Sequence, residues 1–260
     1  MREKVIFISI DGMRADGVLA CNHPFVDKMM KLGSYTLEGN SVVPPVTLPC
    51  HLSMFYGIPP QRHGISTNTF VPMVRPVEGL FEQIKNAGGS SALYYSWEAI
   101  RDVARPGTLK HAEFTWVGAA ERADAMLTES ALTYIKSEKP DFVFLYMART
   151  DAIGHNEGWM SEAYLQCIYN AIEDVKRVIE EVGDEYTVII TSDHGGHERT
   201  HGIEIPEDMI IPMFFIGPDF EAGKKLSGIS LLELAPTIAD IMGVPKTQEW
   251  EGKSIVNVEK

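Results

Sequence analysis

Four apolar runs of strand length punctuate the chain: Val5–Ile10, Phe142–Met147, Thr187–Thr191 and Pro212–Ile216. Continuous rather than alternating hydrophobicity marks strands buried on both faces, as in a parallel sheet covered by helices. Ser91–Tyr95 and Leu37–Val43 are weaker strand candidates. Between the runs, apolar residues recur at three- and four-residue spacing over Pro24–Leu32, Val77–Asn86, Ala119–Ser137, Glu162–Val182 and Leu231–Met242. That spacing lines up one buried face of a helix. Gly33, Gly183 and Gly243 follow three of these segments, where a helix C-terminus favours glycine. The alternation predicts an α/β fold, a three-layer α/β/α sandwich around a largely parallel sheet. No internal repeat, low-complexity segment or domain boundary interrupts it. Pro44–Pro49 and Ile58–Gly64 read as loops around a short helix, so residues 1–260 are expected to form a single domain without a large cap insertion.

In open α/β sheets, ligands bind beyond the carboxyl ends of the strands, and this chain concentrates its chemistry there. Asp11 ends the first run. Asp151-Ala-Ile-Gly-His155 follows the second, and Asp193-His194-Gly-Gly-His197-Glu-Arg-Thr-His201 follows the third. Both motifs are expected in loops leaving their strands. Carboxylate and imidazole together suit a borderline divalent metal such as zinc. Three acids at three strand ends, two of them beside histidines, therefore point to one polynuclear metal site. Asp151 and His155 are spaced to share a helix face or, in a glycine-containing loop, to chelate one ion. His197 and His201 compete as a further ligand, and the other would fix an imidazole tautomer. His23, His51, His63 and His111 read as surface or structural residues.

Thr47 precedes the apolar stretch Leu52–Phe55, which looks like the start of a helix. The threonine is expected as its N-cap. A hydroxyl there can meet an anionic substrate over backbone N–H groups. Metal coordination can make it an alkoxide nucleophile. Cys50, one turn further, is expected to be buried and inert. Substrate contacts from Trp97, Glu98, Arg101, Trp159 and Tyr56 stay open, with core or surface roles as the alternative.

Composition narrows the partners. With 260 residues and 45% hydrophobic content, the chain can bury a sizeable core. Its formal net charge of −13 and the lack of a Lys/Arg cluster exclude binding along duplex nucleic acid. A small anionic substrate remains compatible, because bound metal reverses the local charge. The three cysteines show no pairing pattern, which argues against a disulfide framework. No apolar run is long enough to span a membrane, and no signal-peptide core precedes the first strand, so a cytoplasmic location is expected.

As a set, these residues resemble the alkaline phosphatase superfamily, particularly its type I phosphodiesterase/nucleotide pyrophosphatase branch. The pieces that carry the resemblance are Ile8-Ser-Ile-Asp11-Gly12-Met-Arg14, Thr47-Leu-Pro-Cys-His51, Tyr56-Gly57, His63-Gly-Ile65, Asn68, Asp151-Ala-Ile-Gly-His155, Ser192-Asp-His-Gly195 and Thr200-His-Gly202. Leu234-Ala-Pro-Thr-Ile238 with Gly243 resembles the closing helix of that fold. The resemblance implies two divalent metals, usually zinc, with manganese as the alternative. Asp151, His155 and His201 would hold one ion; Asp11, Asp193, His194 and the Thr47 oxygen would hold the other. Thr47 would form a covalent phospho-threonine, and Asn68 would contact the phosphate with the Thr47 backbone N–H. It also favours His201 over His197.

Two departures qualify the match. Larger members carry a long insertion between the Asp-His pair and the last histidine, whereas Asp193 and His201 are eight residues apart here. Segments that build a nucleotide pocket are therefore shortened or absent. Cys50 stands where the branch often has Asn. The expected activity is cleavage of phosphodiester or pyrophosphate bonds in a small phosphorylated or phosphonate substrate. A phosphomonoesterase or phosphonate hydrolase is the alternative. A sulfatase fits less well, because Thr47-Leu-Pro-Cys-His51 lacks its Cys/Ser and Arg. A mutase would need a large cap domain, and an inactive metal-binding module would lack a ligand or nucleophile.

Overall fold

The first apolar run forms β1 (Val5–Ile10), and every residue of it is buried. Its side chains alternate between two separate cores. Val5 and Phe7 join one cluster, while Ile6, Ile8 and Ile10 join another. A strand with apolar neighbours on both faces needs a helical layer on each side. The computed structural model of the chain, which describes residues 1–118 and 122–256, has that arrangement.

Six further strands complete the sheet: β2 (Ser34–Asn40), β3 (Ser91–Tyr95), β4 (His111–Phe114), β5 (Phe142–Met147), β6 (Thr187–Thr191) and β7 (Ile210–Ile216). Their order is β2-β7-β6-β1-β5-β3-β4. Only β7 runs against its neighbours, pairing antiparallel with both β2 and β6; the pairs β6–β1, β1–β5, β5–β3 and β3–β4 are parallel. The chain is thus an α/β sandwich with a largely parallel sheet, and β6, β1 and β5 lie side by side at its centre.

The helices in chain order are α1 (Ala15–Ala20), α2 (Pro24–Leu32), α3 (Thr47–Tyr56), α4 (Pro60–His63), α5 (Leu80–Asn86), α6 (Ala123–Glu138), α7 (Arg149–Glu157), α8 (Glu162–Val182), α9 (Pro206–Met209) and α10 (Leu234–Met242). Helices α3, α5 and α10 cover one face through Leu52, Phe55, Phe81 and Ile238. Helices α1, α2, α6 and α8 cover the other through Val18, Phe25, Leu127 and Ile168. Phe55 fixes α3 on the sheet: its ring lies 4.8 Å from both Phe81 and Phe144 and 5.8 Å from Phe7. Burying one such ring contributes roughly 1.5–3 kcal/mol, and here it also sets the height of the α3 amino end above β1.

Some elements differ from the hydrophobic pattern. The Leu37–Val43 strand lies three residues earlier, at Ser34–Asn40, because its partner β7 sets the register and Pro44 and Pro45 cannot extend it. The Val77–Asn86 helix begins at Leu80, where Glu82 accepts from the Gly79 N–H at 3.1 Å. The Ala119–Ser137 helix is observed as Ala123–Glu138; residues 119–121 fall outside the described ones. The Leu231–Met242 helix opens with one 3₁₀ turn. Among the described residues, no helix is long and apolar enough to cross a membrane.

Candidate metal centre

The adjacency of β6, β1 and β5 brings Asp193, Asp11 and Asp151 to one edge of the sheet. Asp193 follows β6 and Asp11 immediately follows β1. Asp151 lies in the first turn of α7, which starts two residues after β5. The Asp151 motif is therefore helical, not the expected loop. Helical spacing puts Asp151 and His155 on one face, with His155 Nε2 3.4 Å from Asp151 Oδ1.

Close approach of backbones makes this packing depend on glycine. Gly12 has φ +68°, and a Cβ there would lie 3.1 Å from the Cα and Cβ of Asp151. Its N–H donates to Asp193 Oδ1 at 3.1 Å. Its carbonyl accepts from Trp159 Nε1 at 2.9 Å and from Tyr164 at 2.8 Å. Gly154 leaves room for the same Trp159 ring, which a Cβ would approach to 2.6 Å.

Two groups of ligand atoms converge at this edge: Asp151, His155 and His201 in one, and Asp11, Asp193 and His194 in the other. The three imidazoles share one arrangement. Nδ1–H of His194 donates to the Gly195 carbonyl at 2.7 Å, that of His155 to Arg199 at 2.9 Å, and that of His201 to Pro45 at 2.9 Å. A carbonyl can only accept, so each ring carries its proton on Nδ1 and presents a bare Nε2 to the carboxylates. His194 Nε2 is 3.3 Å from both Asp11 Oδ1 and Asp193 Oδ2. His201 Nε2 is 3.7 Å from Asp151 Oδ1.

The carboxylates are incompletely satisfied. Tyr146 donates to Asp11 Oδ2, and the Gly12 and His194 N–H groups donate to Asp193 Oδ1. Asp11 Oδ1, Asp193 Oδ2 and Asp151 Oδ1 are buried without any hydrogen-bond donor. These are the oxygens that face the bare imidazole nitrogens. Unpaired buried charge is costly, and among the described residues no arginine or lysine forms an ion pair with any of the three acids. Burial, then repulsion from Asp193 and Asp151, pushes Asp11 well above the usual carboxylate range. Burial pushes Asp151 up to about 6 against the pull of His201 and His155. Burial, then His194, pushes His201 down to about 4. Three orphaned carboxylate oxygens facing three oriented imidazole lone pairs fit divalent cations and leave little else to balance the charge.

Thr47 stands at the edge of the second group, its Oγ1 3.2 Å from His194 Nε2. It is the first residue of α3, and Val46 is the N-cap. The expectation of a capping threonine is corrected: Oγ1 turns toward His194 rather than back onto the helix. Its own N–H, at the first helical position, has no intrahelical acceptor. The Leu48 N–H donates to Asn68 Oδ1 at 3.0 Å, so Asn68 is brought to the same helix end with its amide NH₂ free of that bond. Pro49 follows and has no N–H to leave unpaired.

His197 lies apart from both groups. Its Nδ1 is held by Asp208 Oδ1 at 2.7 Å, while Asp208 Oδ2 accepts from the Gly202 and Ile203 N–H groups. Buried Asp208 thus shapes the turn that delivers His201. His51 is also more than a surface residue. It is wholly buried, donates from Nδ1 to the Thr47 carbonyl at 2.8 Å, and accepts from Ser9 at Nε2. This ties the α3 amino end to β1. His23 and His63 are buried too. Burial pushes the Cys50 thiol up, in keeping with an inert cysteine. Trp159 is core: its edge packs against His155 at 5.0 Å and His201 at 5.9 Å. Tyr56 is buried beneath Arg105, and Arg101 is engaged by Glu98 and Asp102.

A further pair was not legible as functional. Asp124, on α6, accepts from the Arg149 N–H at 3.0 Å and from Ser96 Oγ at 3.0 Å. Ser96 Oγ in turn accepts from the Ala148 N–H at 2.9 Å. Helix α7 has no capping side chain of its own, so Asp124 and Ser96 cap it from outside. The only sequence signal was an acid near a helix start.

Comparison with known proteins places the chain in a family. Residues 112–246 match the model of the metalloenzyme superfamily, and residues 5–87 match that of type I phosphodiesterase/nucleotide pyrophosphatase. The chain belongs to the metalloenzyme superfamily, within the alkaline phosphatase-like group. It is 29% identical over 142 residues to the 2,3-bisphosphoglycerate-independent phosphoglycerate mutase of Clostridioides difficile, covering 50% of this chain and 27% of that protein. The chain thus spans about a quarter of the length of the curated relatives it matches. Murine ectonucleotide pyrophosphatase/phosphodiesterase 5, solved in complex with AMP, has the same fold with a TM-score of 0.80 at 14% identity, covering 94% of this chain and 96% of that one. The phosphonate monoester hydrolase of Silicibacter pomeroyi gives a TM-score of 0.76 at 15% identity, covering 97% and 76%.

Proposed function

We propose that this metalloenzyme is a phosphohydrolase that cleaves phosphodiester or pyrophosphate bonds through a covalent phospho-threonine at Thr47. The observation that carries this reading is the position of Thr47 Oγ1 at a helix amino end, 3.2 Å from the bare Nε2 of His194. Asp151, His155 and His201 would hold one divalent cation; Asp11, Asp193, His194 and the Thr47 oxygen would hold a second, with zinc or manganese as the metal. Bound there, the cations would supply Lewis-acid neutralisation of the phosphoryl oxygens and acidify hydroxyl and water protons.

The remaining work falls to side chains and backbone. Thr47 Oγ1 attacks phosphorus as the bond to the leaving oxygen breaks. The N–H of Thr47 and the amide NH₂ of Asn68 would donate to the equatorial oxygens, where negative charge builds. The Leu48 N–H fixes Asn68 by occupying its Oδ1. His51 holds the Thr47 carbonyl, so the nucleophile is oriented before substrate arrives. Water then breaks the phosphorus–threonine bond and restores the hydroxyl. On this reading residues 1–260 form one catalytic domain acting on a small phosphorylated or phosphonate substrate. Its three cysteines are free and buried, which suits a reducing compartment.

Among the described residues, no lysine or arginine is paired with the three acids, and with no such cation at hand for a second phosphate charge, a diester with one negative charge is favoured over a dianionic monoester. The phosphomonoesterase and phosphonate hydrolase readings use the same residues, and the leaving group separates them. The test compares bis-p-nitrophenyl phosphate with p-nitrophenyl phosphate, with Zn²⁺ or Mn²⁺ supplied, on wild type and Thr47→Ala. Faster diester cleavage, falling at least about a thousandfold in the variant with bound metal retained, is expected. Faster monoester cleavage would move the chain to the phosphatase side of the superfamily. Turnover undiminished in Thr47→Ala would remove the covalent intermediate.

A further inference from the structure

The back of α7 faces a cavity of about 610 Å³ enclosed with α6 and α8. Asp151 and His155 occupy one face of α7, and Arg149 and Ile153, four residues apart on the opposite face, line the cavity. Helix α8 presents a stripe that includes exposed Gln166 and Asn170 and half-buried Asp174. A helix packed between two others normally fills such a stripe with apolar side chains. Here the outer part of the stripe is polar and exposed, and the cleft it lines is open to solvent at its outer end, with a volume typical of small-ligand sites.

The charges in the cavity are unmatched. Asp124, at its floor, is engaged by Ser96 and the Arg149 N–H. Among the described residues, neither the Asp174 carboxylate nor the Arg149 guanidinium has a hydrogen-bond or ion-pair partner. They line the same cavity without pairing with each other, and exposed Arg122 lines it too with no ion-pair partner among the described residues. Burial pushes Asp174 up to about 6 against the pull of Arg177 and Arg122, neither of which pairs with it directly. Gln166 donates to Asn170 Oδ1 at 3.1 Å, leaving the Asn170 amide NH₂ and the Gln166 carbonyl for an occupant. A simple anion at Arg149 would leave Asp174 without a partner in contact, and a simple cation at Asp174 would leave Arg149 and Arg122 without an anionic partner among the described residues.

We propose that this cavity binds a small zwitterion of the free amino acid class, its ammonium group at Asp174 and its carboxylate at Arg149. Both charges are then matched by one ligand, with the amides of Gln166 and Asn170 completing its hydrogen bonds. The site is separate from the metal centre and needs neither metal nor phosphate ester. An occupant would rest directly against the helix that carries Asp151 and His155.

The test is calorimetric titration of the whole metal-free chain with each of the twenty common amino acids. Acetate and ethylammonium serve as single-charge controls. At least one amino acid is expected to bind with a Kd below about 1 mM. Arg149→Met and Asp174→Asn should each weaken it tenfold or more while unfolding stays cooperative. No binding at roughly 10 mM of any amino acid would overturn the proposal. So would binding that survives both substitutions, or a single-charge control that binds as tightly as the amino acid.

Discussion

At the scale of single residues, the centre works by denying its polar atoms any other partner. Each imidazole has its Nδ1–H bound to a backbone carbonyl, and one oxygen of each central aspartate has no donor. The pH response follows. In the metal-free chain Asp151 is raised from the ordinary 3.8 to about 6 by burial. A carboxyl raised on folding contributes stability that is fully present below its unfolded pKa and lost as pH rises through its folded one. Asp11, Asp124 and Asp174 are raised as well, also by burial first. His201 and His63, each lowered from 6.5 to about 4 by burial, and His51, also lowered by burial, act in the opposite sense, so their stability is lost as pH falls through that window. With Glu82 also raised by burial, the carboxyls outnumber the three histidines. Melting of the metal-free chain should therefore occur at progressively lower temperature as pH rises from about 4 to about 6. Metal should flatten that slope, because cations favour the charged carboxylates. Thermal scans across that range, with and without Zn²⁺, check it; a metal-free Tm that climbs through the window would contradict the charge crowding. Gly12→Ala tests the same tightness sterically. With φ +68° and a Cβ 3.1 Å from Asp151, the substitution should cost about 1–3 kcal/mol. Denaturant unfolding measures it, and a neutral result would mean that Asp151 can retreat freely.

At the scale of elements, α7 shows how a helix without its own cap can still carry ligands. Asp124 and Ser96 accept the Arg149 and Ala148 N–H groups, so the amino end of α7 is fixed by α6 and by the segment after β3. Asp124→Ala should destabilise the fold by about 1–3 kcal/mol. It should also weaken metal at Asp151, His155 and His201 by roughly 10–100-fold, leaving the Asp11, Asp193 and His194 group near its wild-type affinity. Metal titration resolves the two, and equal weakening of both would make Asp124 a general stabiliser only. The central elements were legible because each carries its own signal. β1, β3, β5, β6, α2 and α8 have the bounds that the apolar runs and helical spacing predict. What was not legible depends on partners distant in sequence. β4 has four residues, HAEF, alternately half-buried and exposed. Its pairing with β3 makes it a strand, because its own pattern is too short to do so. The Asp151 motif, with its central glycine, reads as a loop, yet Gly154 is required by Trp159 packing and interrupts no helix. The candidate metal ligands were visible as dense Asp/His motifs. Their supports, His51, Tyr146, Ser96 and Asp124, were not, since a buried hydrogen bond to a residue tens of positions away leaves no local pattern.

At the scale of the whole molecule, the sheet order turns local motifs into one centre. β6, β1 and β5 are adjacent, so three acids from distant parts of the chain meet above the strands that link the two hydrophobic layers. The arrangement has a cost: uncompensated carboxylate charge sits over the most deeply buried part of the fold, in a chain already at a formal net charge of −13. Cations bound there would neutralise charge contributed by all three central strands at once. Metal binding to the folded state alone adds RT ln(1 + [L]/Kd) to stability, about 4 kcal/mol at a thousandfold excess over Kd. Exhaustive chelation should therefore lower Tm by several degrees or more and abolish turnover together. Resupplying Zn²⁺ or Mn²⁺ should restore both, because the ligands are positioned by backbone carbonyls and N–H groups that do not depend on the metal. Activity that survived chelation would sink the metal-dependent mechanism. A Tm that stayed constant while activity vanished would show that the three strands tolerate their charge without metal, and that the unpaired oxygens are satisfied by water instead.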